Sequence, residues 1–176
     1  MNIAIRLATP ADAPAMAEIH MRSWEVAYKD IIPADFIREK NAARPAQWQR
    51  IITAENTAHY VIQADGKTAG FLHIAPPQDD DLDDNCYELC AIYLHPYYFR
   101  QGIGTQAMEF AFDKARDLGK TAMTVWVLAE NANTIHFYEK CGFDEDGKTK
   151  EVEYGRILEC VRMCCDLQHI CSSDNM

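Results

Sequence analysis

Hydrophobic and polar positions along this chain change period several times, and each change marks an element. Ile3 to Leu7 alternate as a short strand. Thr9-Pro10-Ala11-Asp12 then supplies an N-cap, a proline at the first helical position and an acid three residues on. That starts a helix at Pro10, with Met16, Ile19, His20, Ser23 and Ala27 along one face. Tyr28 to Pro33 interrupts it, and two further helices are expected at Ala34–Lys40 and Arg44–Ala54, closed by a turn at Glu55-Asn56-Thr57. Ala58–Ala64 and Lys67–Ile74 are β-prone runs joined by Asp65-Gly66, a strong hairpin signal, and the strand Tyr87–Leu94 should pair next to them. Thr121–Leu128 is apolar on both faces and predicts a buried central strand. Asn131 or Asn133 caps a helix that ends at Cys141, with Gly142 as its terminal glycine and Phe143 placed for the accompanying apolar contact. Two last strands are expected at Phe143–Gly147 and Ile157–Met163, broken by Lys148–Glu151, with fraying from Asp166.

The stretch from Tyr87 to Leu118 reads as strand, glycine-rich turn, helix. A β-prone run (Leu89, Ala91, Ile92, Tyr93, Leu94) stops at His95-Pro96, and Gln101-Gly102-Ile103-Gly104 opens a helix whose apolar face is Ile103, Ala107, Phe110, Ala111 and Leu118. The first amides of such a helix lack intrahelical partners, and its dipole places about half a positive charge there. Glycine lets a ligand approach the backbone, so this turn is an anion site, for phosphate before other anions. Gly102 to Ala107 also spells G-x-G-x-x-A, with Glu130 roughly where a Rossmann ribose-binding acid would stand. The residues before it read as strand-turn-strand, however, and too little chain follows to complete a doubly wound sheet.

Composition narrows the partners. Lys plus Arg number 17 against 27 Asp plus Glu in 176 residues, a net charge of −10, so most of the surface should repel nucleic acid and anionic membranes. Cationic or neutral acceptors fit better. There is no basic-then-apolar leader, and no run approaches the about 18 apolar residues of a membrane span. Seven cysteines contain no C-x-x-C pair and no His at metal spacing, and the odd count speaks against a secreted disulfide framework. The expectation is a soluble, metal-free cytoplasmic protein whose thiols are mostly buried, Cys171 in the polar tail excepted. Asp79, Asp81 and Asp83 suggest a calcium loop, but Asp84 and Cys90 occupy the positions that need glycine and a bidentate Glu. That leaves a solvated acidic hairpin tip or an acidic rim facing a cationic acceptor.

A second constellation, Trp126-Val-Leu-Ala-Glu-Asn-Ala-Asn-Thr-Ile-His-Phe-Tyr-Glu-Lys-Cys-Gly-Phe143, follows His95-Pro-Tyr-Tyr-Phe-Arg-Gln-Gly-Ile-Gly104. Together they resemble the GNAT acetyltransferase superfamily, over about Ile5 to Met163. The resemblance implies an α/β (α+β layered) fold: a mixed, mainly antiparallel, twisted sheet of about six to seven strands flanked by helices. It implies one acetyltransferase domain over residues 1–165, with 166–176 as a flexible tail. Acetyl-CoA would be the cosubstrate, and a homodimer would follow family habit. The family turn Q/R-x-x-G-x-G/A holds the pyrophosphate; here Phe99 stands at its first position, with Arg100 next door to supply charge. Arg100, Gln101, Gly102, Ile103, Gly104 and Thr105 would thus hold phosphate. The backbone of Ile92, Tyr93 and Leu94, where the family strand bulges and diverges from its parallel neighbour, would take pantetheine and the acetyl oxygen.

Acyl transfer from a thioester to an amine needs a neutral amine, a polarised carbonyl and a proton for the leaving thiolate. The resemblance gives Tyr138 as general acid, against a role in packing Ile135. Glu88 is either the base or an outward strand carboxylate, and Asn131 and Asn133 are either pantetheine contacts or helix caps. Trp24, Tyr28 and Phe36 either line an acceptor lid or pack the helix pair, and His73 stands as a titratable neighbour of the acceptor. The reaction implied is transfer of acetyl from acetyl-CoA to a primary amine of a small molecule, peptide or protein. The alternative is a non-catalytic acyl-CoA-binding or sensing module.

Overall fold

The computed structural model describes residues 1–54 and 58–170. Along it run β1 (Ile3–Leu7), α1 (Ala13–Ala27), α2 (Ala34–Thr53), β2 (His59–Ala64), β3 (Lys67–Ala75), β4 (Cys86–Leu94), α3 (Ile103–Asp117), β5 (Ala122–Leu128), α4 (Ala132–Lys140), β6 (Asp144–Glu153) and β7 (Ile157–Asp166). The seven strands form one sheet in the order β1-β2-β3-β4-β5-β7-β6, antiparallel throughout except for β4 beside β5. This is the mixed, mainly antiparallel sheet expected, and it is not doubly wound.

Both faces of the sheet are covered, because successive strand residues point opposite ways and the central strands carry apolar residues on both faces. Ile62, Leu72, Leu89 and Met123 meet Ile103, Ala107, Met108 and Ala111 of α3 on one side. Val61 and Phe71 meet Met16, Ile19 and Trp48 of α1 and α2 on the other. Beyond them on that second face, Trp24, Ile32 and Ile37 pack on Leu128, Leu158 and Cys160. On α3, Leu118 departs from the expected face: it is exposed past the helix end, and Phe112 and Ala115 complete the stripe.

The parallel pair is short. Only Cys86–Glu88 pair with Ala122–Thr124, although β4 continues to Leu94 and β5 to Leu128. Between β3 and β4 the register slips, His73 opposing Ala91 and Ile74 opposing Leu89, which leaves Cys90 as an extra residue. A bulge bends and overtwists its strand, and this one sits where β4 leaves β5. The divergence implied by the resemblance is present, but its bulge lies at Cys90, ahead of Ile92–Leu94.

Four expected boundaries are corrected. Pro10–Asp12 is a separate 3-10 turn, closed by a Thr9/Asp12 capping box, ahead of α1. The helices expected at Ala34–Lys40 and Arg44–Ala54 are one helix running through Pro45. Proline removes a donor inside a helix at a cost of about 3 kcal/mol, yet Ile37, Asn41, Arg44, Trp48 and Ile52 form one buried stripe through it, and that burial wins. Lys148–Glu151 lies inside β6 rather than breaking it; nine of its ten residues are exposed, so an edge strand carried no apolar signal. At the other end, Leu167 is buried and the Arg116 guanidinium donates to the carbonyls of Leu167 and Ile170, so the chain is held beyond Asp166. Glu55, Asn56, Thr57 and Cys171 lie outside the described residues.

The acidic loop is also corrected. Arg162 is buried, and its guanidinium donates to Asp146 at 2.7 Å and to both oxygens of Asp81 at 2.8 and 2.7 Å, with Asp79 3.4 Å away. Asp79 also accepts from the Trp126 indole at 2.9 Å. The loop is therefore a strap pinned across β5 and β7, and no cluster that could hold a metal occurs among the described residues.

Candidate active site

The turn that leads into α3 is held by its own hydrogen bonds. After β4, Pro96–Tyr98 forms a 3-10 turn whose Tyr97 amide donates to His95 Nδ1 at 3.2 Å. Gln101 donates to the Tyr97 carbonyl at 2.6 Å, so its side chain serves the turn. Arg100 and Gly102 take positive φ, 57° and 78°, and Gly102 is the left-handed N-cap of α3. No atom lies within 4 Å of where a Cβ on Gly102 would stand, whereas one on Gly104 would lie 3.3 Å from the Phe137 ring. Glycine is needed at Gly102 for the backbone angle and at Gly104 for close packing of α3 on α4. Ile103 is wholly buried, which leaves only its amide for a ligand, while Arg100 and Thr105 are exposed at the mouth. These open, dipole-end amides fit a pyrophosphate.

Beside this turn β4 and β5 splay apart. Past Glu88 the edge of β4 that faces β5 is unpaired, so Ile92, Tyr93 and Leu94 present backbone groups there. Across the gap stands Tyr138 of α4, 5% exposed. A Schellman closure fixes it: Phe143 N–H donates to Tyr138 O, Gly142 N–H to Glu139 O, and the Phe143 ring packs 5.5 Å from the Tyr138 ring. Burial pushes the Tyr138 phenol well above the usual tyrosine value, with the Tyr93 phenol adding to the effect. Asn131 is the cap of α4, accepting from Thr134 N–H at 3.3 Å, and Asn133 is exposed one residue inside the helix.

On the α1–α2 face of the sheet, Tyr93 is the hub. Its hydroxyl accepts from Trp24 Nε1 at 3.3 Å, the Tyr28 phenol lies within electrostatic reach of it, and its ring stacks 4.5 Å from His20. Tyr154, from the β6–β7 hairpin, closes the wall against Trp24 and Phe36. Trp24 and Tyr28 thus pack the helices and face the splay at once. His73 lies apart from this hub, stacked 4.0 Å from His59 on the neighbouring strand pair. Glu88 stands where the parallel pairing ends, half-buried; burial first and Asp79 second push its carboxyl up, with Lys150 and Arg162 pulling the other way. Glu130 is ion-paired to Arg156 at 2.8 and 2.9 Å, away from any ribose role.

Arg44, His20 and Tyr154 were missed by sequence reasoning. For Arg44 a signal existed: it lies in register with Ile37, Trp48 and Ile52 on one helical stripe, where a charged residue must be buried. Tyr154 sits in a polar hairpin, and no pattern marked it.

A glycine-bearing helix start beside a splayed parallel strand pair is the arrangement of CoA-dependent acyltransferase folds, and comparison agrees on the family. The chain belongs to the Acetyltransferase (GNAT) family, whose model matches residues 13–143. It is 26% identical over 159 residues to the L-amino acid N-acyltransferase MnaT of Escherichia coli, covering 89% of this chain and 90% of that protein. An uncharacterised N-acetyltransferase from the pepI 3′ region of Lactobacillus delbrueckii is 31% identical over 93 residues, which are 52% of this chain and only 54% of that relative's length. The fold matches that of the PaiA N-acetyltransferase of Thermoplasma acidophilum, solved with coenzyme A, at a TM-score of 0.72 and 22% identity, over 94% of this chain and 99% of that one.

Proposed function

We propose that this chain is an N-acetyltransferase that moves the acetyl group of acetyl-CoA directly to a primary amine, with Tyr138 as general acid and Glu88 as general base. The observation that carries the reading is the unpaired edge of β4 beyond Glu88, lying between the Gly102–Gly104 turn and the Tyr138 phenol. Acetyl-CoA supplies an acyl group on a good leaving thiolate. Arg100, Thr105 and the amides of the turn hold its phosphates, while Asn131 and Asn133 serve α4 and its surface. Backbone groups of Ile92–Leu94 orient the pantetheine arm and polarise the carbonyl.

An alkylamine of pKa about 10.4 is about one part in a thousand neutral near pH 7.4, equivalent to about 4 kcal/mol, so removing its proton is worth assisting. Glu88, with its carboxyl raised by burial, takes that proton directly or through water. The amine nitrogen attacks the thioester carbon, the C–S bond breaks, the departing sulfur takes the Tyr138 hydroxyl proton, and the surplus proton on the acylated nitrogen passes through water to restore the Tyr138 hydroxyl. Burial keeps Tyr138 in its neutral donor form, and the same desolvation raises the proton affinity of a thiolate beside it. Trp24 and Tyr28 shape the acceptor wall, and His73, stacked on His59, stands outside it. The six described cysteines are all free, which fits a reducing, cytoplasmic setting, and among the described residues no helix is long and apolar enough to cross a membrane. The charge of −10 favours acceptors that are not polyanions.

Free-thiol release from acetyl-CoA across a panel of amino acids, polyamines, aminoglycosides and peptides tests this. Turnover on one class is expected, with kcat at least about 100-fold lower in Tyr138→Phe, the usual scale for a lost general acid. An unchanged kcat would remove Tyr138 from the mechanism. Acetyl-CoA binding with no turnover on any amine would favour the sensing module.

A further inference from the structure

Two arginines are buried among the described residues, and they differ in one respect. Arg162 is held by three aspartates. Arg44, 5% exposed, has no carboxylate partner and no hydrogen bond among the described residues, and its Nε is wholly enclosed without an acceptor. Its guanidinium carbon sits 4.4 Å from the Trp24 ring centroid, and the phenols of Tyr28, Tyr93 and Tyr154 surround it within electrostatic reach. On the facing helix α1, the Glu25 carboxylate is taken by Arg22 and Asn41. A cation–π contact offsets part of the cost of burying a charge, but an unpaired buried cation still costs several kcal/mol. Folds keep such a charge where an anion is to arrive.

The place is suggestive of which anion. Tyr28 and Tyr93, which flank Arg44, are also within reach of Tyr138, so the guanidinium lies at the inner end of the aromatic wall that runs to the splay. Resting on the acetyltransferase reading above, we propose that Arg44 binds the carboxylate of the acceptor, and that the acceptor is a small zwitterion of the α-amino-acid type. A planar guanidinium pairs with a carboxylate through two parallel hydrogen bonds, supplying the partners Arg44 lacks. The amine of the same molecule then points back along Tyr93 toward the thioester. A zwitterion carries no net charge, so the acidic surface does not oppose its entry.

The test pairs L-α-amino acids of differing side chain with their primary amides, read in two ways: thiol release with acetyl-CoA, and Trp24-region fluorescence in the presence of coenzyme A. Carboxylates should surpass their amides at least about 10-fold in kcat/KM and in binding. Arg44→Met, which keeps the apolar volume, should raise KM for the carboxylates at least about 10-fold, leave the amides and the thermal shift by acetyl-CoA unchanged, and be partly rescued by Arg44→Lys. Amides equal to acids, or an Arg44→Met defect shared by both, overturns the proposal while leaving the enzyme reading intact. Carboxylate-selective binding lost in Arg44→Met without any turnover upholds Arg44 and sinks the enzyme reading instead. Absence of both binding and turnover with every amino acid tested overturns the proposal.

Discussion

Acid should unfold this protein earlier than carboxylate chemistry alone would, because two imidazoles are buried neutral. His20 accepts from Trp48 Nε1 at 3.1 Å and is enclosed by Tyr93, Phe71 and Trp24. Burial first, and the Arg44 charge second, push its pKa down to about 2. His59, under Trp48, is pushed down to about 4 by burial and by His73. In the unfolded chain both titrate near 6.5. Above that pH neither state binds a proton and the full stability is present. Below it the unfolded chain takes up protons that the native state refuses, so stability falls as pH drops from about 6.5 toward the native values. At pH 5 the His20 difference is about 1.5 pH units times 1.36, or about 2 kcal/mol, and His59 adds a similar amount. A loss of about 4 kcal/mol is large against a typical total of about 5–15. Urea midpoints measured at pH 7.5, 6.5, 5.5 and 5.0 should fall steadily below about 6.5, and His20→Asn, which retains an acceptor for Trp48, should flatten the decline by about half. A midpoint constant down to pH 5, with loss only in the carboxylate range, would refute the burial argument.

Two other substitutions probe the frame of the site. Gly102→Ala forces an L-residue to φ 78° and should cost about 1–2 kcal/mol by urea denaturation while weakening acetyl-CoA in a thermal-shift titration; unchanged affinity would take Gly102 out of the phosphate site. Arg162→Met strands Asp79, Asp81 and Asp146 and should cost about 3 kcal/mol, with faster protease cleavage within Pro76–Asn85; unaltered cleavage would mean the strap is held by something else.

Where local chemistry decides, the sequence was legible. Asp65-Gly66 forms its hairpin with both residues at positive φ, and Gly142-Phe143 closes α4 as its composition requires. The glycine-bearing turn into α3 was readable too, from Gly102 and Gly104 set ahead of an amphipathic run. What was hidden depends on burial by distant segments. Pro45 says nothing of the stripe that carries α2 through it. Nothing around Asp79–Asp83 announces Arg162, 81 residues beyond Asp81 in the chain. The aromatic hub around Tyr93 joins α1, α2, β4 and the β6–β7 hairpin, and only the fold brings those four together.

Direct transfer at the splay is the central claim. Burial holds thiols in the neutral form here, pushing Cys141 up to about 11 and Cys165 up to about 12. The decisive measurement incubates the protein with acetyl-CoA carrying a 13C-labelled acetyl group and the best amine, and weighs both the amine and the intact chain by mass spectrometry during turnover. The label should appear on the amine nitrogen while the chain mass stays unmodified. Label on a cysteine that then chases onto the amine, or release of coenzyme A with no acetylated amine, would contradict it.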